Sequence, residues 1–552
     1  FIMLDYTMPK SSYLVTIFYI VFRETRFPIP CINCHAVARF HKPSGVPFNS
    51  WIRSTSIGYN HCYVGHVWAR GSDSFAFPLK PTFMLLPRLG WFRGDFMVDQ
   101  LPNLGREKEM LESMGMSSMD DLFADVPEPV RTVGELPLRG PQTEEEIIAD
   151  ARRILGSNVA LGERVSFLGA GLSRNYVPAS VFQLITRGEF LTSYTPYQPE
   201  VSQGMLQAMW EFQTLISELV GLEVSNLSVY DSSTAAAEAL TCAVRVHNRK
   251  AEQKDTVYIS ELIPPARMSV IYNYTQGGGI TIKTLKHNDD GTLDLDSLAE
   301  AKGSCGVYLE QPNPLGIIDG GLTRVKEIIG ENTAFILGVA PVSLGLVEAP
   351  GNYGVDIVVG EGQALGSPIT YGGPLYGIFA CTKAYLRMMP GRIVGKSIDV
   401  DGKEAFCLTL STREQHIRRH RATSNICTNE TLIALMGAMH MALLGPEGLE
   451  KLAKRNIAAC YLAKEKLSQI PTIAIPHLQN SHFNEFVVEL PGLAADCLEY
   501  LDTQGVIGGF DLSTWYPKKG NWLLVSFSDQ TKASEIELLA AHLAVWSASL
   551  VK

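Results

Sequence analysis

Six short apolar segments between residues 225 and 381 constrain the fold of this chain more than any other feature. They are rich in β-branched residues, and most of them are separated by helical patterns, at 233–247, 295–302 and 322–330. The segments are 255–261, 281–287, 306–312, 333–340, 356–361 and 376–381. Apolar strands that alternate with helices predict a mostly parallel sheet that is covered on both faces. Such a sheet binds ligands at the carboxyl ends of its strands.

The regions on either side of this pattern predict further structure. Residues 97–224 contain amphipathic helical patterns and a polar loop rich in Tyr and Pro, whereas residues 430–552 contain a long helix followed by a smaller βα arrangement. We therefore predict a large α/β domain at 225–429, preceded by a helical segment and loop at 97–224. A C-terminal helix and small α/β domain follow at 430–552.

The first 96 residues differ from the rest in charge and pattern. Residues 1–95 hold ten Lys and Arg against four Asp and Glu, a charge of about +6, which leaves about −16 for the rest of a chain whose total is −10. We expect residues 1–96 to be upstream translated sequence and the working chain to begin near Met97. The acidic total disfavours nucleic-acid binding. The ten cysteines are mostly isolated, which favours a reduced, cytoplasmic protein.

Two patterns in the first 96 residues suggest other classes of protein. The longest apolar run, at 13–22, has ten residues, whereas a membrane span needs about 20. The sequence CINCH at 31–35 fits covalent haem attachment, with His35 as axial ligand, or a zinc site completed by His41. Because no helical pattern surrounds it and no second Cys/His pair follows at the usual spacing, we interpret the motif as a chance occurrence. We expect neither a membrane span nor a bound metal.

A cluster of hydroxyl side chains begins the first helical pattern of the large domain. Ser232, Ser233 and Thr234 stand at the start of this helix. Hydroxyls and free backbone N–H groups at a helix N-terminus can bind a phosphate group. The same residues also serve as ordinary helix caps, so the sequence leaves both readings open.

Two polar segments are candidates for the rim of a pocket or for a contact with a partner. The loop SYTPYQPEVSQG at 193–204 supplies Tyr194, Thr195, Tyr197, Gln198 and Gln203. The segment 408–430 is rich in cations and includes Arg413, His416 and Arg418. Aromatic, amide and guanidinium groups of this kind occur at both pockets and interfaces. A polar surface turn and a solvated helix face are the simpler alternatives.

The segment 356–381 reads as a buried strand, a glycine-rich turn and a second strand. Glu361 and Gln363 lie in the turn, and residues 361–375 include no Lys, His or Cys. A turn in this position usually carries a reactive group, since it lies where a sheet of this type binds its ligand.

Four motifs together resemble the P-protein, or glycine decarboxylase, family of the glycine cleavage system. They are TSYTPYQPEVSQG, GEGQALGSPITYGGPLYGIFA, MPGRIVG and LTLSTREQHIRRHRATSNICTN, and the resemblance runs from about Leu101 to the C-terminus. Within the family, the chain looks like subunit 1 of the two-subunit form. The resemblance implies an aminotransferase-like fold of the pyridoxal phosphate (PLP) type I class, with a large mostly parallel sheet domain and a smaller C-terminal α/β domain.

The family's reaction decarboxylates glycine and passes the aminomethyl group to the lipoyl arm of H-protein. The resemblance therefore implies glycine, lipoylated H-protein and a subunit 2 as partners, in a heterotetramer of two plus two. It also implies that PLP is held by subunit 2 and is not bound covalently by this chain.

The residues of this chain agree with that expectation. No Lys lies between Lys326 and Lys383, although the Schiff base needs one on this turn. An acid would be expected to hold the pyridine nitrogen at 338–340, but the residues there are Gly338, Val339 and Ala340. Pro264 stands where a ring-facing His is common. The alternative is a self-sufficient PLP-dependent decarboxylase or transaminase that uses Lys383 or Lys396. Lys383 begins a helical run after the next strand, which is the wrong position for a Schiff-base residue.

Overall fold

The computed structural model describes two compact units, Phe1–Gly140 and Pro141–Lys552. The structure describes residues 103, 105–132, 136, 138–250 and 253–550. It also describes the backbone of residues 2–6, 15–19 and 39–40. The CINCH motif and the expected start near Met97 lie outside the described residues, so both interpretations stay predictions.

In the first unit, the described residues form a few regular elements. Strands β1 (Ile2–Tyr6), β2 (Val15–Tyr19) and β3 (Arg39–Phe40) form a small antiparallel sheet. Helix α1 spans Glu107–Ser113, and a 3₁₀ turn follows at Met119–Phe123.

The second unit is built on a seven-stranded sheet. Its strands run in the spatial order β5, β11, β10, β9, β8, β6, β7. Five of them are parallel, whereas β11 runs antiparallel to β10 and β5 antiparallel to β11. The bounds are β5 Val224–Ser225, β6 Thr256–Ser260, β7 Thr281–Leu285, β8 Gly306–Gln311, β9 Ala334–Val339, β10 Ile357–Glu361 and β11 Gly377–Cys381.

Helices cover both faces of this sheet, as the alternating pattern predicts. The described helices of this unit that precede its C-terminal region are α2 Glu144–Leu155, α3 Ala179–Ile185, α4 Gly188–Leu191, α5 Gln203–Val220, α6 Ser232–Lys250, α7 Pro265–Gln276, α8 Leu295–Ala299, α9 Val325–Ile329 and α10 Gln415–Arg418. Helix α6 lies close to the sheet because its buried face is largely alanine. A side chain at Gly306 would put its Cβ 3.3 Å from that of Ala243.

The opposite face is covered by α5 and by the long helix α11 (Thr431–Leu467), which bends at Gly445 next to Pro446. Within the described residues, α11 is the one helix long and apolar enough to cross a membrane by length and composition. Such a helix is weak evidence for a span, because core helices pass the same test. Leu435 of α11 lies in one apolar core with Phe212 and Ile216 of α5, which accounts for its apolar composition.

The C-terminal part adds a second, smaller sheet and two short strand pairs. Strands β14, β17 and β16 form an antiparallel sheet, β12 and β13 form a hairpin, and β15 pairs in parallel with β4. The bounds are β4 Val165–Ser166, β12 Ile393–Ile398, β13 Glu404–Thr409, β14 Glu485–Glu489, β15 Val506–Ile507, β16 Phe510–Asp511 and β17 Trp522–Ser526. Helices α12 (Ala494–Thr503) and α13 (Ala533–Leu550) share an apolar core with this sheet.

All six predicted strands are present, and each boundary lies within two residues of the prediction. The fold class of a large, mostly parallel α/β sheet with a smaller C-terminal α/β part is confirmed. The finer domain boundaries at 224/225 and 429/430 stay predictions.

Candidate functional site

A cavity lies at the carboxyl ends of β8, β9 and β10, where a sheet of this type binds its ligand. Its volume is about 140 Å³. Its walls come from the ends of these strands, from the start of α6 and α7, from β14 and from the segment 170–173. The predicted positions Ser232, Pro264, 338–340, Glu361 and Gln363 all line it.

The turn after β10 carries a carboxylate that is tied to three backbone N–H groups. Glu361 Oε2 accepts from the N–H of Ser232, and Glu361 Oε1 accepts from the N–H groups of Gln363 and Tyr376, each at 3.2 Å. Burial raises the pKa of Glu361 to about 7, although these hydrogen bonds oppose the rise. The carboxylate therefore links the turn to the N-terminus of α6.

The candidate phosphate cup at the start of α6 is partly filled by groups of the chain itself. The N–H of Thr234 donates to Asp231 Oδ1 at 2.8 Å, and the N–H of Ser232 is bound by Glu361. The hydroxyl of Ser232 accepts from Arg267 at 3.1 Å. Two carboxylates thus occupy the end of a helix dipole at which an external anion would otherwise bind. Ser233 is not among the residues that line the cavity.

An ion pair that the sequence did not reveal forms one wall of the cavity. Arg267, on α7, pairs with Glu310, on β8, and the hydroxyl of Tyr308 donates to the same carboxylate oxygen at 2.6 Å. Tyr308 is fully buried. Since successive strand residues alternate between faces, Tyr308 and Glu310 point to the same side of the sheet. This alternation could have shown from the sequence that Tyr308 and Glu310 share a face, but it could not have identified Arg267 on α7 as their partner.

The residues of the cavity do not fit PLP. No lysine is among its lining residues. A Cβ at Gly338 would lie 2.8 Å from the hydroxyl oxygen of Tyr308, so the wall has no room there for an acidic side chain. The remaining expected positions are Val339, Ala340 and Pro264, none of which can bind the pyridine nitrogen or stack as an imidazole.

Neither alternative lysine reaches the cavity. Lys383 follows β11, whose last residue, Cys381, pairs with the first residue of β10. Lys383 therefore lies at the opposite end of the strands from the cavity, where it pairs with Glu223 at 3.1 Å. Lys396 lies on the hairpin and pairs with Glu404.

A segment at 169–177, which we call the strap, lies over the cavity. The N–H of Ala170 donates to Glu485 Oε1 at 2.8 Å, and the N–H of Ser173 donates to Gln363 Oε1 at 3.1 Å. Gln363, in the turn that would carry a Schiff-base lysine, therefore holds the strap instead. Burial raises the pKa of Glu485 to about 7.

The loop at 193–204 does not line this cavity. Tyr194 and Tyr197 are largely exposed, and Thr195 is half-buried with a backbone carbonyl that accepts from the N–H of Tyr197. Gln198 is exposed, whereas Gln203 is partly buried and connects α5 to β13. Its amide exchanges hydrogen bonds with the backbone of Phe406 at 2.8 and 2.9 Å. Gln203 therefore holds two elements of the fold together.

The cationic segment is divided between internal and exposed side chains. Arg413 donates to the carbonyls of Leu410, Met389 and Gly391, and burial lowers its pKa. His416 and Arg418 are exposed.

The structure brings this segment next to the loop, since the rings of Tyr197 and His416 lie 6.3 Å apart. We call Tyr194, Tyr197, His416 and Arg418 the Tyr197 surface.

Comparison with known proteins identifies the family. The model of the glycine cleavage system P-protein family matches residues 102–543. The chain belongs to this family. The P-protein match includes every residue of the cavity and of the Tyr197 surface.

Similar P-protein chains come from several prokaryotes. A probable glycine dehydrogenase (decarboxylating) subunit 1 of Thermococcus onnurineus is 42% identical over 443 residues, which are 80% of this chain and 97% of that protein. A relative of the same name from Moorella thermoacetica is 41% identical over 438 residues, 79% of this chain and 96% of that protein.

Solved structures agree with the assignment. The crystal structure of an inhibitor-bound glycine decarboxylase (P-protein) is 36% identical, has a TM-score of 0.69, and is matched over 79% of this chain and 97% of that chain. A NifS-like protein is matched over 70% of this chain and all of its own, with a TM-score of 0.52 and 13% identity. This second match shows the fold alone, and it confirms the aminotransferase-like class.

Proposed function

We propose that this chain is the cofactor-free subunit 1 of a two-subunit glycine decarboxylase. With subunit 2, which holds PLP, it decarboxylates glycine and transfers the aminomethyl group to the lipoyl arm of H-protein. The assembly is a heterotetramer of two plus two in a reduced, cytoplasmic compartment. The chain is not catalytic alone.

The cavity at the carboxyl ends of β8–β10 is the observation that carries this proposal. It lies where a PLP enzyme of this fold has its active site, yet it lacks a lysine. Asp231 and Glu361 bind two of the backbone N–H groups at the anion-binding position at the start of α6. The wall formed by Tyr308 and Glu310 leaves no space for an acidic side chain at Gly338. A chain with this site and with close subunit 1 relatives needs a partner to supply the cofactor.

The Tyr197 surface is the contact that we assign to subunit 2. Tyr194 is 76% exposed and Tyr197 53% exposed, and aromatic residues and arginine are enriched in the energetically important parts of interfaces. The adjacent residues Arg419 and Arg421 are also exposed, so acidic H-protein can approach the same edge through electrostatic attraction.

The test compares the purified full chain with the chain co-expressed with subunit 2. We expect the chain alone to take up no PLP and to show no decarboxylase activity, and the co-purified complex to decarboxylate glycine in the presence of lipoylated H-protein. The proposal fails if the chain alone is active with added PLP, or if no stable complex with subunit 2 forms.

A further inference from the structure

Two partly buried carboxyl groups border the cavity without a positive partner among the described residues. Glu361 is bound by three backbone N–H groups, and Glu485 by the N–H of Ala170 and by the side chain of Ser526. Neither forms an ion pair with a described Lys, Arg or His. A buried carboxylate without a cation is unfavourable, and a cationic group in the cavity would relieve this cost.

The same cavity holds one guanidinium with an unused donor. Arg267 directs one terminal nitrogen to Glu310 and the other to Ser232. Its Nε atom is buried and has no hydrogen-bond partner in the described part of the chain. Buried polar groups are normally paired, so an unpaired N–H at a cavity wall indicates a site for an acceptor.

The cavity therefore presents groups for both ends of a small zwitterion. Carboxylates on the turn and on β14 suit an ammonium group, and the Nε–H of Arg267 suits a carboxylate. Trp515 and Pro264 add apolar surface, and the strap closes the space on one side. A volume of about 140 Å³ has room for a small ligand.

We propose that this cavity binds free glycine non-covalently, with its ammonium group at Glu361 and Glu485 and its carboxylate at Arg267. The choice of glycine among small amino acids rests on the proposed function, because glycine is the substrate of the complex. No bond is made or broken at this site. Because Glu485 and Gln363 also hold the strap, bound glycine stabilises the strap over the cavity.

The test measures glycine binding to the purified full chain without subunit 2, by calorimetry and by NMR with isotope-labelled glycine. We expect saturable binding of glycine at one site, and weaker binding of methylamine and acetate, each of which has one of the two charged groups.

Two isosteric variants test the assignment of the ammonium site. Glu485→Gln removes the charge and keeps an acceptor for the N–H of Ala170. Glu361→Gln also removes the charge, but it keeps only one of the two oxygens that accept from the backbone. Each variant should weaken glycine binding about tenfold or more. Glu447→Gln is the matched control, since Glu447 is exposed on α11 and pairs with Lys451 one turn away; it should bind as the wild type does.

The absence of saturable binding to the wild-type chain, or equal affinity in both variants and the wild type, would overturn this inference. Complex formation with subunit 2 and decarboxylation are measured separately on the same proteins. A chain that assembles and supports activity but binds no glycine refutes the glycine site alone. A chain that binds glycine but forms no complex refutes the proposed function.

Discussion

Replacing Glu485 by glutamine should stabilise the ligand-free chain at alkaline pH. Glu485 is partly buried and has no positive partner among the described residues, and desolvation raises its pKa from 4.5 to about 7. One unit of difference in pKa between the folded and unfolded states corresponds to about 1.4 kcal/mol. The ionised carboxylate therefore costs the folded chain about 3 kcal/mol.

The direction of the pH dependence follows from the raised pKa. Between pH 4.5 and about 7 the folded state binds a proton at Glu485 that the unfolded state has lost, so this group's stabilising contribution is present below that window and is lost as the pH rises through it. Glutamine does not titrate, and its amide oxygen can still accept from the N–H of Ala170. The advantage of Glu485→Gln in free energy of unfolding should therefore grow by about 2–3 kcal/mol between about pH 5 and pH 8.

Urea denaturation of both proteins at the two pH values, without glycine, measures this difference. Glu447→Gln is the control, and its difference from the wild type should stay nearly constant with pH. The reasoning is refuted if Glu485→Gln is less stable than the wild type at pH 8, or if its advantage does not grow with pH. Either result would mean that the carboxylate is hydrated or paired in the folded chain.

Three further substitutions test other parts of the site and surface. Arg267→Met leaves Glu310 buried without its partner and should cost about 3–5 kcal/mol in urea denaturation; adding Glu310→Gln should recover part of the loss, and no recovery would contradict the ion-pair assignment. Gln363→Lys places an amine on the turn, but it should not give a PLP absorption band, because Asp231 and Glu361 still occupy the anion position; a band lost on borohydride reduction would contradict the account of the site. Tyr194→Asp should weaken assembly with subunit 2 about tenfold or more in sedimentation, whereas Leu538→Asp on α13, also at an exposed apolar residue, should not; equal effects would remove the Tyr197 surface from the interface.

The sequence predicted the sheet well because each strand can be recognised from its own residues. The segment that became β9, Ala334–Val339, is a continuous apolar run that is buried throughout. Residues of this kind at regular spacing leave few alternatives to a covered parallel sheet. The direction of β11 was not predictable, since it depends on how residues 362–376 return the chain beside β10.

The cavity was predictable only in part. The missing lysine and the residues Pro264 and Gly338 could be seen in the sequence, because they depend on identity at single positions. The contacts that form the walls of the cavity could not be predicted, because they join residues that are far apart in the chain. Arg267 and Glu310 are 43 residues apart, and Glu485 holds Ala170 across 315 residues.

Residue type alone does not show what two of the candidate polar side chains contact. Gln203 and Arg413 resemble pocket residues by type, yet both bind backbone atoms of neighbouring elements. Amide and guanidinium groups suit that task as well as they suit ligand binding. Only the positions of the surrounding carbonyl groups distinguish the two uses.

Borohydride reduction of the complex assembled with subunit 2 and PLP, followed by peptide mass mapping, tests the central claim most directly. The account predicts a pyridoxyl group on a lysine of subunit 2 and none on this chain. A pyridoxyl group on any lysine of this chain, Lys383 and Lys396 included, would contradict it.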